Sequence, residues 1–82
     1  MTPKEIITSV CDLALEEHLK PNEIIHIQRY FLAVHCCWLT QRNIGELTGC
    51  KHDTVSYSLK RVKLKYGVVS LRIGNKLRNL IK

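Results

Sequence analysis

The chain has 82 residues, of which 45% are hydrophobic, so it is long enough for one small domain and too apolar for an intrinsically disordered segment. Thirteen Lys and Arg residues against seven Asp and Glu residues give a net charge of +6, which favours an anionic partner such as nucleic acid or an acidic membrane surface. The polar N-terminal residues are not those of a signal peptide, and no apolar run reaches the ~18 residues of a membrane span. We therefore expect a single soluble domain over residues 1–82.

The cysteine pattern favours free thiols in a reducing cytoplasm. The chain contains Cys11, Cys36, Cys37 and Cys50, without a C-x-x-C pair. Free cysteines usually behave as small core residues, so we expect buried thiols. The alternative is a zinc site formed by Cys37, Cys50 and His52, although their spacing fits no common zinc site. We accordingly expect no metal and no cofactor.

The first predicted helix has a clear start. Thr2 can cap it, Pro3 occupies the first helical position, and Glu5 completes a capping box. The apolar face that follows comprises Ile6, Ile7, Val10, Cys11, Leu13 and Ala14, and continues to about Glu17. The segment 18–22, which contains Pro21, is predicted to be a loop.

The second predicted helix, Glu23 to Trp38, is apolar on nearly all sides, with a start anywhere between Glu23 and Gln28. Such a helix is typically central and contacted by several neighbours. Its apolar residues are Ile24, Ile25, Ile27, Tyr30, Phe31, Ala33, Val34, Cys37 and Trp38. We expect Tyr30, Phe31 and Trp38 in the core, because a domain of this size has few large side chains to spare.

Three further helices are predicted. The third is Gln41 to Thr48, capped by Thr40 and ended by Gly49, and the fourth is Asp53 to Lys65. The segment 66–70 is predicted to break the chain or to form a short extended piece. The last helix is Leu71 to Ile81, with Ile73, Leu77, Leu80 and Ile81 inward and Arg72, Lys76 and Arg78 outward. The expected fold class is all-α, with about five helices and no convincing strand.

Residues 40–62, TQRNIGELTGCKHDTVSYSLKRV, form a candidate helix-turn-helix motif. Gly45 is expected at the point where the two short helices of the motif cross and touch, since its cost within a helix of about 1 kcal/mol relative to Ala implies a structural reason. Gly49 suits the left-handed backbone that ends the first helix of such a motif. The expected shared core comprises Ile44, Leu47, Val55, Leu59 and Val62.

The fourth helix has an outward face suited to DNA. Val55, Leu59, Val62 and Tyr66 share one side, and Thr54, Ser56, Tyr57, Lys60 and Arg61 lie opposite or beside it, with Lys63 and Lys65 near the border. Hydroxyls near the N terminus can approach base edges, and the cations can reach phosphates. A run of cations is often only a solvated surface, but its position in this motif favours DNA. Leu64 is expected to pack under the last helix.

Over most of its length the chain resembles the C-terminal DNA-binding domain of the bacterial replication initiator DnaA, a member of the Trp-repressor-like helix-turn-helix group. The helix order is similar, and Lys51-His52-Asp53-Thr54-Val55 stands where that family has a signature around Asp-His-Thr-Thr-Val. The resemblance implies that His52 and Thr54 contact DNA and that Val55 is a core residue. Asp53 stands where the family has a base-reading threonine. Asp53 is either an acceptor for cytosine or a cap of the fourth helix.

Two departures affect the expected site. Lys51 replaces an acidic residue of the family signature. The family's basic loop, which inserts an arginine into the minor groove, corresponds to HLKPNEIIHIQR, which offers only Lys20, His26 and Arg29. The residues expected to contact DNA are therefore Lys51, His52, Asp53, Thr54, Ser56, Tyr57, Lys60, Arg61 and Lys63, together with Arg42, Arg29 and His26.

The expected function is sequence-specific binding of double-stranded DNA in a bacterial or phage-host cytoplasm, with the DNA target and the choice between replication and transcription left open. An enzyme is not expected, because the histidines are dispersed and the chain has no phosphate-binding loop of the kind that the initiator's ATPase requires. No small-molecule substrate is expected. The alternative is a helical protein-interaction module anchored by Tyr30, Phe31 and Trp38. A homodimer also stays open.

Overall fold

Five helices make up the part of the chain that the structure describes, and the expected all-α class is confirmed. The structure is a computed structural model that describes the backbone of residues 2–81 and the side chains of residues 2–80. The helices are α1 (Pro3–Glu16), α2 (Pro21–His35), α3 (Gln41–Thr48), α4 (His52–Lys65) and α5 (Gly67–Ile81). Within the described residues, no helix is long and apolar enough to cross a lipid bilayer.

The start of α1 confirms the predicted capping box. The Thr2 hydroxyl accepts a hydrogen bond from the Glu5 backbone at 3.3 Å, and the Glu5 carboxylate accepts one from the Thr2 backbone at 3.0 Å. That backbone bond is the main cause that lowers the pKa of the Glu5 carboxyl. The chain leaves α1 through His18, which has a left-handed φ of 62°.

Helix α2 begins two residues before the predicted Glu23 and ends three residues before the predicted Trp38. The predicted loop residue Pro21 is helical because proline needs no hydrogen-bond acceptor at the first position, and Glu23 accepts a bond from the Lys20 backbone at 3.0 Å. At the other end the chain turns at Cys36, to whose carbonyl Leu39 donates at 2.9 Å. Trp38 lies on this turn and is 64% exposed, so its predicted place in the core is wrong.

Helix α5 begins four residues before the predicted Leu71, so the predicted break at residues 66–70 is limited to Tyr66. The backbone bond from Ser70 to Tyr66, 2.8 Å, carries helical hydrogen bonding across the junction. Ile73 and Leu77 are buried as predicted, whereas Leu80 is exposed. Leu64 is 85% exposed, so its predicted packing under α5 is wrong. The predicted inward position of Ile81 lies outside the described side chains.

The core forms around α2, which contacts α1, α3 and α4. It comprises Ile6, Val10, Leu13, Ala14, Ile24, Ile27, Phe31, Leu32, Cys36, Ile44, Val55, Val62, Ile73 and Leu77. Tyr30 is partly buried against it.

The four cysteines are unpaired thiols that differ in burial. Cys36 is buried in the core, and this burial raises its pKa. Cys11 and Cys50 are half-buried, whereas Cys37 is exposed on the turn after α2, contrary to the expected buried thiol.

Candidate nucleic-acid interface

Helix α3, its following turn and α4 form a tightly connected unit. The Thr40 hydroxyl accepts a bond from the Asn43 backbone at 3.1 Å, and the Asn43 side chain accepts from the Thr40 backbone at the same distance. Gly49 ends α3 in the left-handed conformation with φ 74°, as its position predicts. A Cβ atom at Gly45 would collide with the carbonyl oxygen of Cys50. A close approach at Gly45 therefore exists, but the nearest atoms belong to the backbone of Cys50 and Lys51, just before α4, rather than to α4 itself.

The apolar contact between α3 and α4 is smaller than predicted. Ile44, Val55 and Val62 are at most 1% exposed, and Leu59 packs at the edge of the core. Leu47, expected in this core, is 41% exposed because it lies on the outer side of the short α3. Ile44 is thus the main apolar anchor of α3.

The N terminus of α4 presents polar side chains to solvent. The capping position is Lys51, which makes no side-chain capping bond, and the helix begins at His52. Asp53 occupies the second helical position, so it is not the cap, and it lies 3.0 Å from the His52 imidazole. Both side chains are largely exposed, at 65% for His52 and 86% for Asp53. Thr54 is also exposed, and all of these side chains are therefore accessible to a ligand.

Farther along, the outward face of α4 combines an aromatic ring with cations. Tyr57 is 53% exposed, and the Arg61 guanidinium lies 5.9 Å from its ring centre and donates to its hydroxyl at 3.0 Å. Lys60, Lys63 and Lys65 are exposed around this pair. None of the ion pairs found among residues 2–80 involves a Lys or Arg of α4. The Lys and Arg side chains of this face are therefore free of direct ion pairs within the described part of the protein, although Glu23 of α2, whose carboxyl pKa is lowered mainly by a hydrogen bond from the Lys20 backbone, is near enough to Arg61 for the arginine to lower that pKa further.

Arg29 joins α2 to both helices of the α3–α4 unit. Its side chain donates to the Thr48 hydroxyl at 3.1 Å and to the Ser58 hydroxyl at 3.1 Å. The residue is 5% exposed, and its guanidinium bonds are made inside the protein. The predicted contact of Arg29 with DNA does not fit this burial. Arg29 instead fixes α4 relative to α2.

His26, which is half-buried, also contacts Ser58 of this hydrogen-bond network. Its Nδ1 atom lies 2.7 Å from the Ser58 oxygen. Because arginine can only donate, the Ser58 oxygen accepts from Arg29 and its own proton is available to Nδ1. This arrangement fits a neutral imidazole with its proton on Nε2. Desolvation, followed by the charges of Arg29 and Arg61, lowers the pKa of His26 and favours that form.

Most of the predicted site residues lie on α4 or directly before it, and the others lie on α2 and α3. Lys51, His52, Asp53, Thr54, Ser56, Tyr57, Lys60, Arg61 and Lys63 share α4 or its capping position, and Arg42 is exposed in the first turn of α3. His26 lies beside Tyr57, with ring centres 5.8 Å apart.

Sequence reasoning missed Ser58 and Thr48, the acceptors of Arg29. Ser58 stands three residues after Val55 and four before Val62, so its place in the buried stripe was a signal that could have been used.

The alternative zinc site has no structural counterpart: within residues 2–80, no group of three His, Cys, Asp or Glu side chains could hold a metal ion. A scan against protein-family models and searches of curated proteins and of solved structures gave no match for this chain.

Proposed function

We propose that this protein binds double-stranded DNA, with α4 in the major groove. The observation that carries the proposal is the set of exposed or half-buried Lys and Arg side chains on α4 that form no ion pair with an acidic residue among the described residues. A polyanion would neutralise Lys60, Arg61 and Lys63 and release its counterions, which is the usual source of affinity for DNA.

The N-terminal half of α4 supplies the groups that would read bases. His52 and Thr54 can exchange hydrogen bonds with base edges, and the Asp53 carboxylate can accept from cytosine. Lys51 lies just before the helix, where it can reach a phosphate. The exposure of all four residues supports this division between base-reading groups and phosphate-binding groups.

In this proposal the protein is a helix-turn-helix DNA-binding module similar to the C-terminal domain of DnaA, with a role in replication or transcription and a cytoplasmic location. The all-α fold and the geometry of residues 40–65 support the resemblance. Lys51 and Asp53 differ from the family signature and Arg29 is buried, so we propose a DNA target different from the initiator's own.

The test is selection of bound duplexes from a randomised pool at about 150 mM salt, a concentration at which non-specific attraction is weakened. An enriched motif is expected. Replacement of His52 or Thr54 by Ala should then reduce discrimination at particular positions by about 1–3 kcal/mol, without a uniform loss of affinity. Absence of any enriched motif, with binding lost at this salt concentration, would reject specific recognition.

The exposed Trp38 favours protein interaction as a second candidate function. Exposed Trp side chains are common anchors in protein interfaces, and Trp38 is 64% exposed on the turn between α2 and α3. Salt separates the two candidates, because DNA affinity falls with a slope of about −0.9 per neutralised phosphate whereas an apolar interface is nearly insensitive to salt.

A further inference from the structure

A shallow apolar groove crosses α5, α2 and α4 on a surface that does not include the N-terminal half of α4. Two adjoining depressions form it, and both are lined by Tyr30 and Val34 of α2. Leu71 of α5 extends the apolar lining on one side and is 68% exposed, and Val34 between the depressions is 53% exposed. An isolated surface leucine is ordinary, but apolar side chains that line two adjoining depressions are typical of a contact surface.

The groove has a positive charge at each end. Arg78 lines the depression beside α5, and Lys63 lines the depression beside α4. No Asp or Glu is among the residues that line either depression. His35 also lines the groove, where desolvation and then the charge of Arg78 lower its pKa and favour the neutral ring. The complementary surface is therefore an apolar side chain with carboxylates on both sides.

The outer side of α1 has this composition. Leu15 is 55% exposed, and Asp12 and Glu16 are exposed three positions before it and one position after it. Residues three or four apart lie on one helix face, so Asp12 is next to both Leu15 and Glu16 on this surface. The Glu16 carboxylate lies 3.3 Å from Lys76 but its side chain is still 61% exposed, so it can reach a second cation.

We propose that the groove binds the outer side of α1 of a second copy of this chain. Leu15 of one copy would pack against Val34 and Leu71 of the other, with Asp12 and Glu16 near Lys63 and Arg78. We take the contact to be heterologous: the groove and the outer side of α1 share no residue, so each copy can bind a different neighbour at each surface. The groove lies apart from the N-terminal half of α4 but shares Lys63 with the proposed DNA-binding face. Self-association is measured without DNA, so the proposal does not depend on the proposed function.

The proposed contact requires local charge complementarity to exceed the repulsion between two copies that each carry a net charge of +6. At physiological salt, charges farther apart than about 8 Å are largely screened, so the nearby carboxylates and cations dominate. The contact involves about one helix turn and a shallow groove. It is therefore smaller than a standard interface of roughly 1,600 Å², and the association should be weak.

Two exposed substitutions separate the two surfaces. Leu15→Lys removes the apolar side chain of α1 but leaves the groove, and Leu71→Lys alters the groove but leaves α1. Both residues are more than half exposed, so circular dichroism and thermal melting should show unchanged folding. Sedimentation velocity up to about 1 mM protein covers the range expected for a weak interface.

The average mass of the wild type should rise with concentration, and each variant alone should associate at least ten times more weakly. An equimolar mixture of the two variants should form a dimer and nothing larger, because Leu15→Lys keeps an intact groove and Leu71→Lys keeps an intact α1. The wild type alone should grow beyond a dimer, which a reciprocal two-fold contact, closed at the dimer, would not do.

Three results would overturn the proposal. A monomeric wild type at the highest concentration would leave the groove to a different protein. Association of Leu15→Lys equal to that of the wild type would exclude α1 as the occupant. In a titration with a short duplex, NMR shifts centred on Val34 and Leu71 would assign the groove to DNA.

Discussion

Helices α4 and α5 both carry exposed cations, but the two sets have different surroundings. On α5, Arg72 lies 2.7 Å from Glu17 and Lys76 lies 3.3 Å from Glu16, so α1 neutralises both cations. On α4, Lys60 and Arg61 form no ion pair with an acidic side chain among residues 2–80. The comparison shows that the number of cations in a helix does not identify a binding face. What distinguishes the outer face of α4 is that none of its Lys or Arg side chains forms an ion pair with a described acidic residue.

The largest expected effect follows from removal of two cations of α4. The double variant Lys60→Ala/Arg61→Ala should bind duplexes of any sequence about 100-fold more weakly, because a hydrogen bond to a charged group contributes roughly 1.5 kcal/mol or more. The salt slope of its affinity should fall by about 2, one for each lost phosphate contact. Fluorescence anisotropy at several salt concentrations measures both quantities.

The matched control is Arg72→Ala/Lys76→Ala, which removes the same charge from α5. If both double variants lose the same affinity, only net charge matters and the assignment of the α4 face is wrong.

Arg29 is a third kind of cation: it is buried and donates its hydrogen bonds inside the protein. Arg29→Ala should lower the free energy of unfolding by about 2 kcal/mol, since the Ser58 and Thr48 hydroxyls lose a buried donor. Chemical denaturation measures this loss. Arg29→Lys keeps the charge but cannot reach both hydroxyls in the same geometry, so it should recover only part of the stability. Full stability of Arg29→Ala would show that the network does not hold the helices together.

A smaller effect is expected on the pH dependence of stability, because His26 lies close to Arg29 and Arg61. Desolvation and two arginines lower its pKa in the folded state, so the unfolded chain binds more protons between the folded and unfolded pKa values. Stability should thus be complete above about pH 6.5 and decrease as the pH falls toward the folded pKa. Thermal melting from pH 7.5 to 5.5 tests this decrease.

The variant His26→Gln isolates the contribution of His26, because a glutamine does not titrate and His35 is retained. Its melting temperature should change less over this pH range than that of the wild type. Identical pH profiles would contradict the neutral role assigned to His26.

The smallest effect is expected from the paired cations of α5. The ion pairs of Arg72 and Lys76 with α1 are partly exposed, and exposed pairs contribute about 0–1 kcal/mol each. Arg72→Ala/Lys76→Ala should therefore lower stability only slightly, as measured by urea denaturation. A loss comparable with that of Arg29→Ala would mean that these pairs are a main attachment of α5.

The features that the sequence predicted best are those set by neighbouring residues. Thr2, Thr40 and Gly49 act within one helical turn, so their caps follow from local chemistry. The position of Trp38 was predicted wrongly because the apolar pattern of α2 continues to residue 38, although the helix ends at His35. The roles of Arg29 and Ser58 depend on contacts between residues 29 positions apart, which no local pattern contains.

The hydrogen bonds of Arg29 also couple the local unfolding of α2, α3 and α4. One guanidinium connects α2 to the end of α3 and to the middle of α4, so separating any one of these helices from the others breaks bonds to a buried charge. Native-state hydrogen exchange should then report a single cooperative opening for the core amides of the three helices. Helix α4 would thus reach its partner already fixed in orientation, and little conformational entropy would be lost when it binds.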